Sequence, residues 1–208
     1  MTLFRTLRQV AKDTQGATIV EFGFVALPMC ILLVGGLDLA HQSYVRTVMQ
    51  GALNDSARRA AVERPDLAGT GDTLEEQIEN SIKQVVGPIA ADAVIDVDQK
   101  SYFDFSNIGN PEKLMTDVNG NGEFDEADGD CWEDMNENGE FDVDGGSEGK
   151  GGASDVVFYR ASITMPRLFS GSMFGADYGT MRMELQTAVR NQPYGTQSAA
   201  PVICAETA

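Results

Sequence analysis

Between Ala17 and Ala40 the chain holds a nearly unbroken apolar run, and the only charges inside it are Glu21 and Asp38. About 20 mostly apolar residues are enough to cross a bilayer as a helix, so this run predicts a retained membrane helix. A cleaved secretory signal fits less well. The run is longer than a usual signal core, and no small-x-small site closes it at Gly35-Gly36-Leu37-Asp38-Leu39-Ala40-His41. Arg5, Arg8 and Lys12 precede the run, with Asp13 as the one acid among them, and no Lys or Arg follows from Ala17 to Gln42. That asymmetry puts the N-terminus in the cytoplasm and the remainder outside. Glu21 is then a carboxylate in an apolar environment, which is costly unless it has a partner.

Other features of the run have structural readings. Pro28 lacks a backbone N–H and predicts a kink near Phe24. Gly23, Gly35 and Gly36 permit close helix approach. Cys30 reads as a small buried hydrophobe, Asp38 as an acid at the outer interface, and His41, the only histidine, as interfacial.

The 208 residues leave room for one modest external domain after this segment. Their net charge is −17, and it becomes −19 without Met1–Gly16, which holds three bases and one acid. Such a surface excludes nucleic acid as a partner, because phosphates attract clustered Lys and Arg. It also disfavours anionic lipid and suggests divalent cations. Cys131 and Cys204 both fall outside the membrane, where disulfides persist. They allow one intramolecular bridge, pinning the tail to the acidic segment; two free thiols or an intermolecular bond are the alternatives. No Cys/His spacing suggests zinc.

Helical spacing continues beyond the apolar run through Val45, Val48, Met49, Ala52, Leu53, Ala57, Ala60 and Ala61, and Pro65 should stop it. A second helix is predicted over Leu74 to Val86. Thr73 and Glu76 have capping-box spacing, the apolar stripe is Leu74, Ile78, Ile82, Val85 and Val86, and Gly87-Pro88 ends it. Alternation predicts strands at Ile95/Val97 with Phe103/Phe105, at Val157 to Met165, and at Met181 to Val189. Arg167–Asp177, with Phe169, Met173 and Phe174, reads as a loop with apolar anchors. The tail after Pro193 reads as flexible until Cys204. The predicted class is α+β: a long N-terminal transmembrane and amphipathic helix, a second helix, and a small antiparallel sheet with an acidic loop insertion.

That insertion carries the most specific chemistry. Asp117, Asn119, Asn121, Gly122, Asp125 and Asp128 match positions one, three, five, six, nine and twelve of an EF-type calcium loop. The spacing matters because alternate oxygen-bearing side chains converge on one side of a tight turn. Gly122 permits the bend and Glu123 lends its backbone carbonyl. Asp128, shorter than the usual glutamate, closes the loop as in dockerin-like sites. Phe124 takes the apolar position that packs two loops together. The pattern returns at Asp134, Asn136, Asn138, Gly139, Glu140, Phe141 and Asp142. Its twelfth position is Gly145, so Asp144 or Glu148 must substitute and a second ion should bind more weakly. No flanking helices accompany either loop, which argues for structural sites rather than a switching pair. From Asp117 to Glu148 there are thirteen acids and no Lys or Arg, a stretch that repels itself without cations. One calcium is expected in the first loop and a second in the other. Simple Asn-Gly turns in an acidic surface excursion are the alternative.

The residues around Gly16–Ala17 resemble the processing site of type IV pilin precursors. Gly16-Ala17-Thr18-Ile19-Val20-Glu21, followed by Phe22-Gly23-Phe24-Val25-Ala26-Leu27-Pro28, looks most like the TadE-like pseudopilins of tight-adherence (Flp-type) pilus systems. That resemblance implies cutting after Gly16 by a prepilin peptidase. Glu21 then stands at the fifth mature position, where it neutralises the new Ala17 amine of a neighbouring subunit. It also implies other pilin or pseudopilin subunits and an inner-membrane assembly platform as partners. The implied organisation is a cleaved leader at 1–16, a transmembrane helix at 17–40, a helix extension at 41–64, and an external domain at 65–208 with calcium loops at 117–148. The protein would be single-pass in the inner membrane, with its C-terminal domain external or carried in the pilus. A membrane-anchored calcium-binding or adhesive module unrelated to pili is the competing reading. An enzyme is disfavoured, since no external Ser/His/Asp or Cys/His set is available.

Overall fold

The computed structural model describes residues 17–169, 172–173, 176–177 and 179–206. Residues 1–16, the expected cut site at Gly16 included, and Phe174 lie outside the described residues. Two compact units emerge. The first holds the chain up to Tyr44 together with Arg167–Gly179, and the second holds Val45–Pro166 and the chain from Thr180 onward.

One helix, α1, runs from Ala17 to Ala60 and continues through Pro28. Its part in the first unit is apolar and open. Ile19, Phe22, Phe24, Leu27 and Leu32 are all at least 67% exposed. The most apolar window has a mean hydropathy of 2.1, and none of it is buried by the protein itself. Such a helix fits a single-pass membrane anchor. Asp38, in contrast, is buried. Its Oδ2 accepts from Gln42 Nε2 at 2.6 Å and pairs with Arg167 Nη1 at 3.0 Å. The acid placed at an interface by its sequence position therefore has its own counter-ion. Arg167–Asp177 contains a short antiparallel ladder, β6 (Ser172–Met173) with β7 (Ala176–Asp177). Leu168 and Phe169 are about half exposed and do not anchor it.

In the second unit α1 changes character. Val45, Met49, Leu53 and Ala57, each four residues apart, are fully buried, as a one-sided helical stripe requires. The helix ends at Ala60, before Pro65. There Gln192 N–H donates to the Ala61 carbonyl at 2.8 Å, and Lys150 Nζ donates to the Val62 and Glu63 carbonyls. Both carbonyls lie just past the helix, and a cation near a helix C-terminus is favourable. Helix α2 spans Leu74–Val86, with Thr73 Oγ1 accepting from Glu76 N–H as its N-cap. It buries Ile78, Ile82 and Val86 against the same core.

The main sheet has the order β4-β1-β5-β8 and is antiparallel throughout: β1 Val94–Tyr102, β4 Ser147–Glu148, β5 Val156–Pro166 and β8 Thr180–Arg190. The odd residues of β5, Val157 through Met165, face α1 and α2, while the even ones face away. Period-two alternation thus sets which face is core. The fold is α+β, as the patterning implied.

Two expectations need correction. Phe103 and Phe105 do not extend β1; the strand stops at Tyr102, and Phe105–Asn107 forms a single 3₁₀ turn capped by Asp104. The tail is also not free as far as Cys204. A second sheet, ordered β2-β3-β9, joins Lys113–Thr116, Cys131–Glu133 and Val202–Cys204. These strands have three or four residues each, too short for alternation to register.

Ile82→Ala, at a fully buried position, is expected to lower unfolding stability by about 2–5 kcal/mol. Val94→Ala, at an exposed one, should change it by less than about 0.5 kcal/mol. Denaturant unfolding of the full chain in detergent micelles measures both.

Candidate functional site

The acidic segment lies between β1 and β5, in the second unit. Its two loops are wound alike. In the first, Asp117 Oδ2 accepts from Gly122 N–H at 2.7 Å and Oδ1 from Asn121 N–H at 3.3 Å. In the second, Asp134 Oδ2 accepts from Gly139 N–H at 2.9 Å and Oδ1 from Asn138 N–H at 3.2 Å. Asn119 and Asn136 each accept from the N–H two residues on, as do Asn121 and Asn138 toward Glu123 and Glu140. Gly122 and Gly139 have φ of 83° and 84°, a region a side chain would strain. The sequence repeat is therefore a conformational repeat in these bonds, and the first loop adds one more, from Gly120 N–H to Asp117 Oδ1.

Neither loop is held by its own residues alone. Asp130 is fully buried, and its two oxygens accept from Val118 N–H at 2.8 Å and Asp125 N–H at 2.9 Å. Glu112, 3% exposed, accepts from Met135 N–H at 2.7 Å and Asp142 N–H at 3.0 Å. These are the second and ninth positions of each loop, so one buried carboxylate clamps the same two amides in both. Burial pushes the Glu112 carboxyl above its usual range. Asp134 and Asp142 add to that rise, and the two N–H bonds work against it. Sequence reasoning missed both clamps. Asp130 stood among many acids, and Glu112 lies 22 residues before the loop it serves.

The other predicted ligands are placed as follows. Asp128 accepts from Asn119 Nδ2, and Asp142 Oδ2 accepts from Asn136 and Asn138 Nδ2. Asp144 turns instead to Lys100, at 2.8 Å. Burial opposes its ionisation, but Lys100 and Tyr102 outweigh it and hold its carboxyl below the usual range. Tyr102 is in turn pushed up to about 12, by burial first and by Asp144 second. Phe124 stacks on Phe141 with centroids 4.2 Å apart, and Trp132 meets both edge-on, so the aromatic position of each loop packs against the other.

The donors are carboxylate, amide and carbonyl oxygens, the set a hard divalent cation takes. Among the described residues no Lys or Arg pairs with Asp117, Asp125, Asp128, Asp134 or Asp142. Equally, among the described residues no group of three or more His, Cys, Asp or Glu side chains gathers as a metal centre. The carboxylates are spent on backbone amides and Asn side chains.

Cys131 and Cys204 are bonded across the register of β3 and β9. The bridge closes a sequence separation of 73 residues, a constraint on the unfolded chain of about 4 kcal/mol by loop entropy. It ties the chain's end to the acidic segment. Cys30 is free and lies on the exposed apolar part of α1, near Glu21 in sequence. Ala17 opens α1, one helical turn before Glu21.

Replacing Asp130 by Ala leaves the Val118 and Asp125 amides without their acceptor, at about 1–3 kcal/mol for the buried groups. Amide hydrogen exchange should accelerate over residues 117–128 and stay unchanged over 134–142, which Glu112 holds. Glu112→Ala should give the mirror image. Equal acceleration of both loops by either variant would contradict independent clamping.

The chain was compared with protein families, curated proteins and solved structures. Residues 16–58 match the family of TadE-like proteins. No curated protein and no solved structure matches the chain. The matched segment covers the first residues of the apolar run, Glu21, and most of α1, and stops before α2 and both sheets. The similarity to TadE-like proteins is therefore a similarity of residues 16–58.

Proposed function

We propose that this protein is a minor pilin-like subunit of a Tad pilus system, inserted as a precursor, trimmed after Gly16, and carrying a calcium-stiffened external head. The observation that carries the pilus reading is the TadE-like match over residues 16–58. The match begins at Gly16 and includes Glu21. Cutting there creates an α-amino group at Ala17. A charge pair between that amine and Glu21 of a neighbour offsets the desolvation of both, which gives a reason for an acid in an apolar helix. Other pilin-like subunits, an assembly platform and a prepilin peptidase follow as partners.

In cells that carry a prepilin peptidase, the chain is expected to shorten by its leader and begin at Ala17 on N-terminal sequencing. Gly16→Trp should leave it at precursor size. An N-terminus at Met1 in both would sink the pilin reading and favour an anchored module unrelated to pili.

The calcium reading rests on a separate observation, the twofold repetition of one loop conformation on an all-oxygen donor set. Asp117, Asn119, Asn121, Asp125 and Asp128, with the Glu123 carbonyl, hold the first ion. Asp134, Asn136, Asn138 and Asp142, with the Glu140 carbonyl, hold the second, more weakly because Gly145 supplies no carboxylate. The bound ion supplies positive charge to a segment that has none of its own. Calorimetry on the full chain should show calcium binding with a dissociation constant on the order of 10⁻⁴–10⁻³ M. Asp117→Ala should abolish the tighter event. Absence of calcium heat in the unsubstituted chain would remove the ion from the account and leave the pilus reading standing.

A further inference from the structure

We propose that the outer edge of β9 and the aromatic groove beside it form a docking surface for an extended, basic peptide segment of a partner protein. Strand β9 is the last in the sheet order β2-β3-β9. Ala205 N–H donates to the Asp130 carbonyl, and Asp134 N–H donates to the Pro201 carbonyl, both at 2.9 Å. Successive residues of a strand direct their amides to opposite sides. Residues 201, 203 and 205 are therefore turned toward β3, and Val202, Cys204 and Glu206 present N–H and C=O outward. All three are exposed, and among the described residues no strand pairs with that edge. An open edge is a template for an added strand.

The groove runs along the end of this strand. It encloses about 580 Å³, and Phe124, Phe141 and Trp132 line it. Its exposed acids are Glu126, Glu140 and Glu206, and among the described residues no basic side chain lines it. Aromatic faces beside carboxylates suit the stem and head of a Lys or Arg, through packing, charge and cation–π attraction. A second copy of this chain is the wrong occupant. Its own edge, Val202-Ile203-Cys204-Ala205-Glu206, brings no base, and each copy carries a net charge of −17.

Trp132 is the only tryptophan in the chain, so its emission reports on the groove directly. The experiment titrates the full chain, in detergent micelles at constant calcium, with the peptide acetyl-Lys-Val-Lys-Val-Lys-Val-amide. The expected result is a saturable change in Trp132 emission. Two N-methylated forms, one blocked at the valines and one at the lysines, keep the charge but remove alternate backbone donors. At least one should bind about tenfold more weakly. Glu126→Lys with Glu206→Lys should weaken the parent peptide by about tenfold, whereas the remote exposed pair Asp72→Lys with Asp92→Lys should change it by less than about twofold. No emission change overturns the proposal. So does equal binding of both methylated forms, or an equal effect of the two charge-reversal pairs, because either means diffuse attraction to an acidic protein.

Discussion

The hydrogen bonds that four loop amides donate to two buried carboxylates are the interaction on which the acidic segment of this protein turns. A carboxylate removed from water is expensive unless hydrogen bonds replace its solvent. Asp130 and Glu112 meet that condition by accepting two backbone N–H groups each. In return they set the spacing between the second and ninth residues of each loop, so that thirteen acids in 32 residues take one shape instead of repelling into many. Everything near them follows from that shape. The two loops bring Phe124 onto Phe141, the rings rest on Trp132, and Trp132 sits on a strand that Cys204 binds from the far end of the chain.

Helix α1 answers to two different solvents along its length. Up to Tyr44 its apolar side chains are open on all sides, the pattern of a helix meant for lipid or for other helices. From Val45 its apolar residues narrow to one stripe, and that stripe is buried against α2 and the main sheet. The TadE-like match spans both parts, ending at residue 58. It does not reach the acidic segment or the small sheet β2-β3-β9.

Much of the fold was legible because its signals are local. Helix α2 is read from Thr73, Glu76 and an apolar stripe over 13 residues, and its bounds agree with the structure. Strands β5 and β8 are legible because 11 residues give alternation room to show. Where signals are short or distant, reading fails. The β2-β3-β9 sheet has strands of three or four residues drawn from three separate stretches. The turn at Phe105 was masked by an apolar alternation that Asp104 interrupts by capping. Of the predicted ligands, Asp144 was drawn to Lys100, a partner 44 residues away in sequence.

By itself the sequence determined the apolar helix with Glu21 and the basic residues before it, the second helix, the long strands and the repeated Asp-x-Asn-x-Asn-Gly spacing, because each depends on residues within a few turns of one another. The tertiary structure decided what those pieces become. Only folding could bring Glu112 to a loop 22 residues away, Cys204 to Cys131, and the outer edge of β9 to an aromatic groove. The physical reason is that a buried carboxylate, a disulfide and a strand edge all find their partners through space, and the chain's local preferences carry no record of which distant residue will be there.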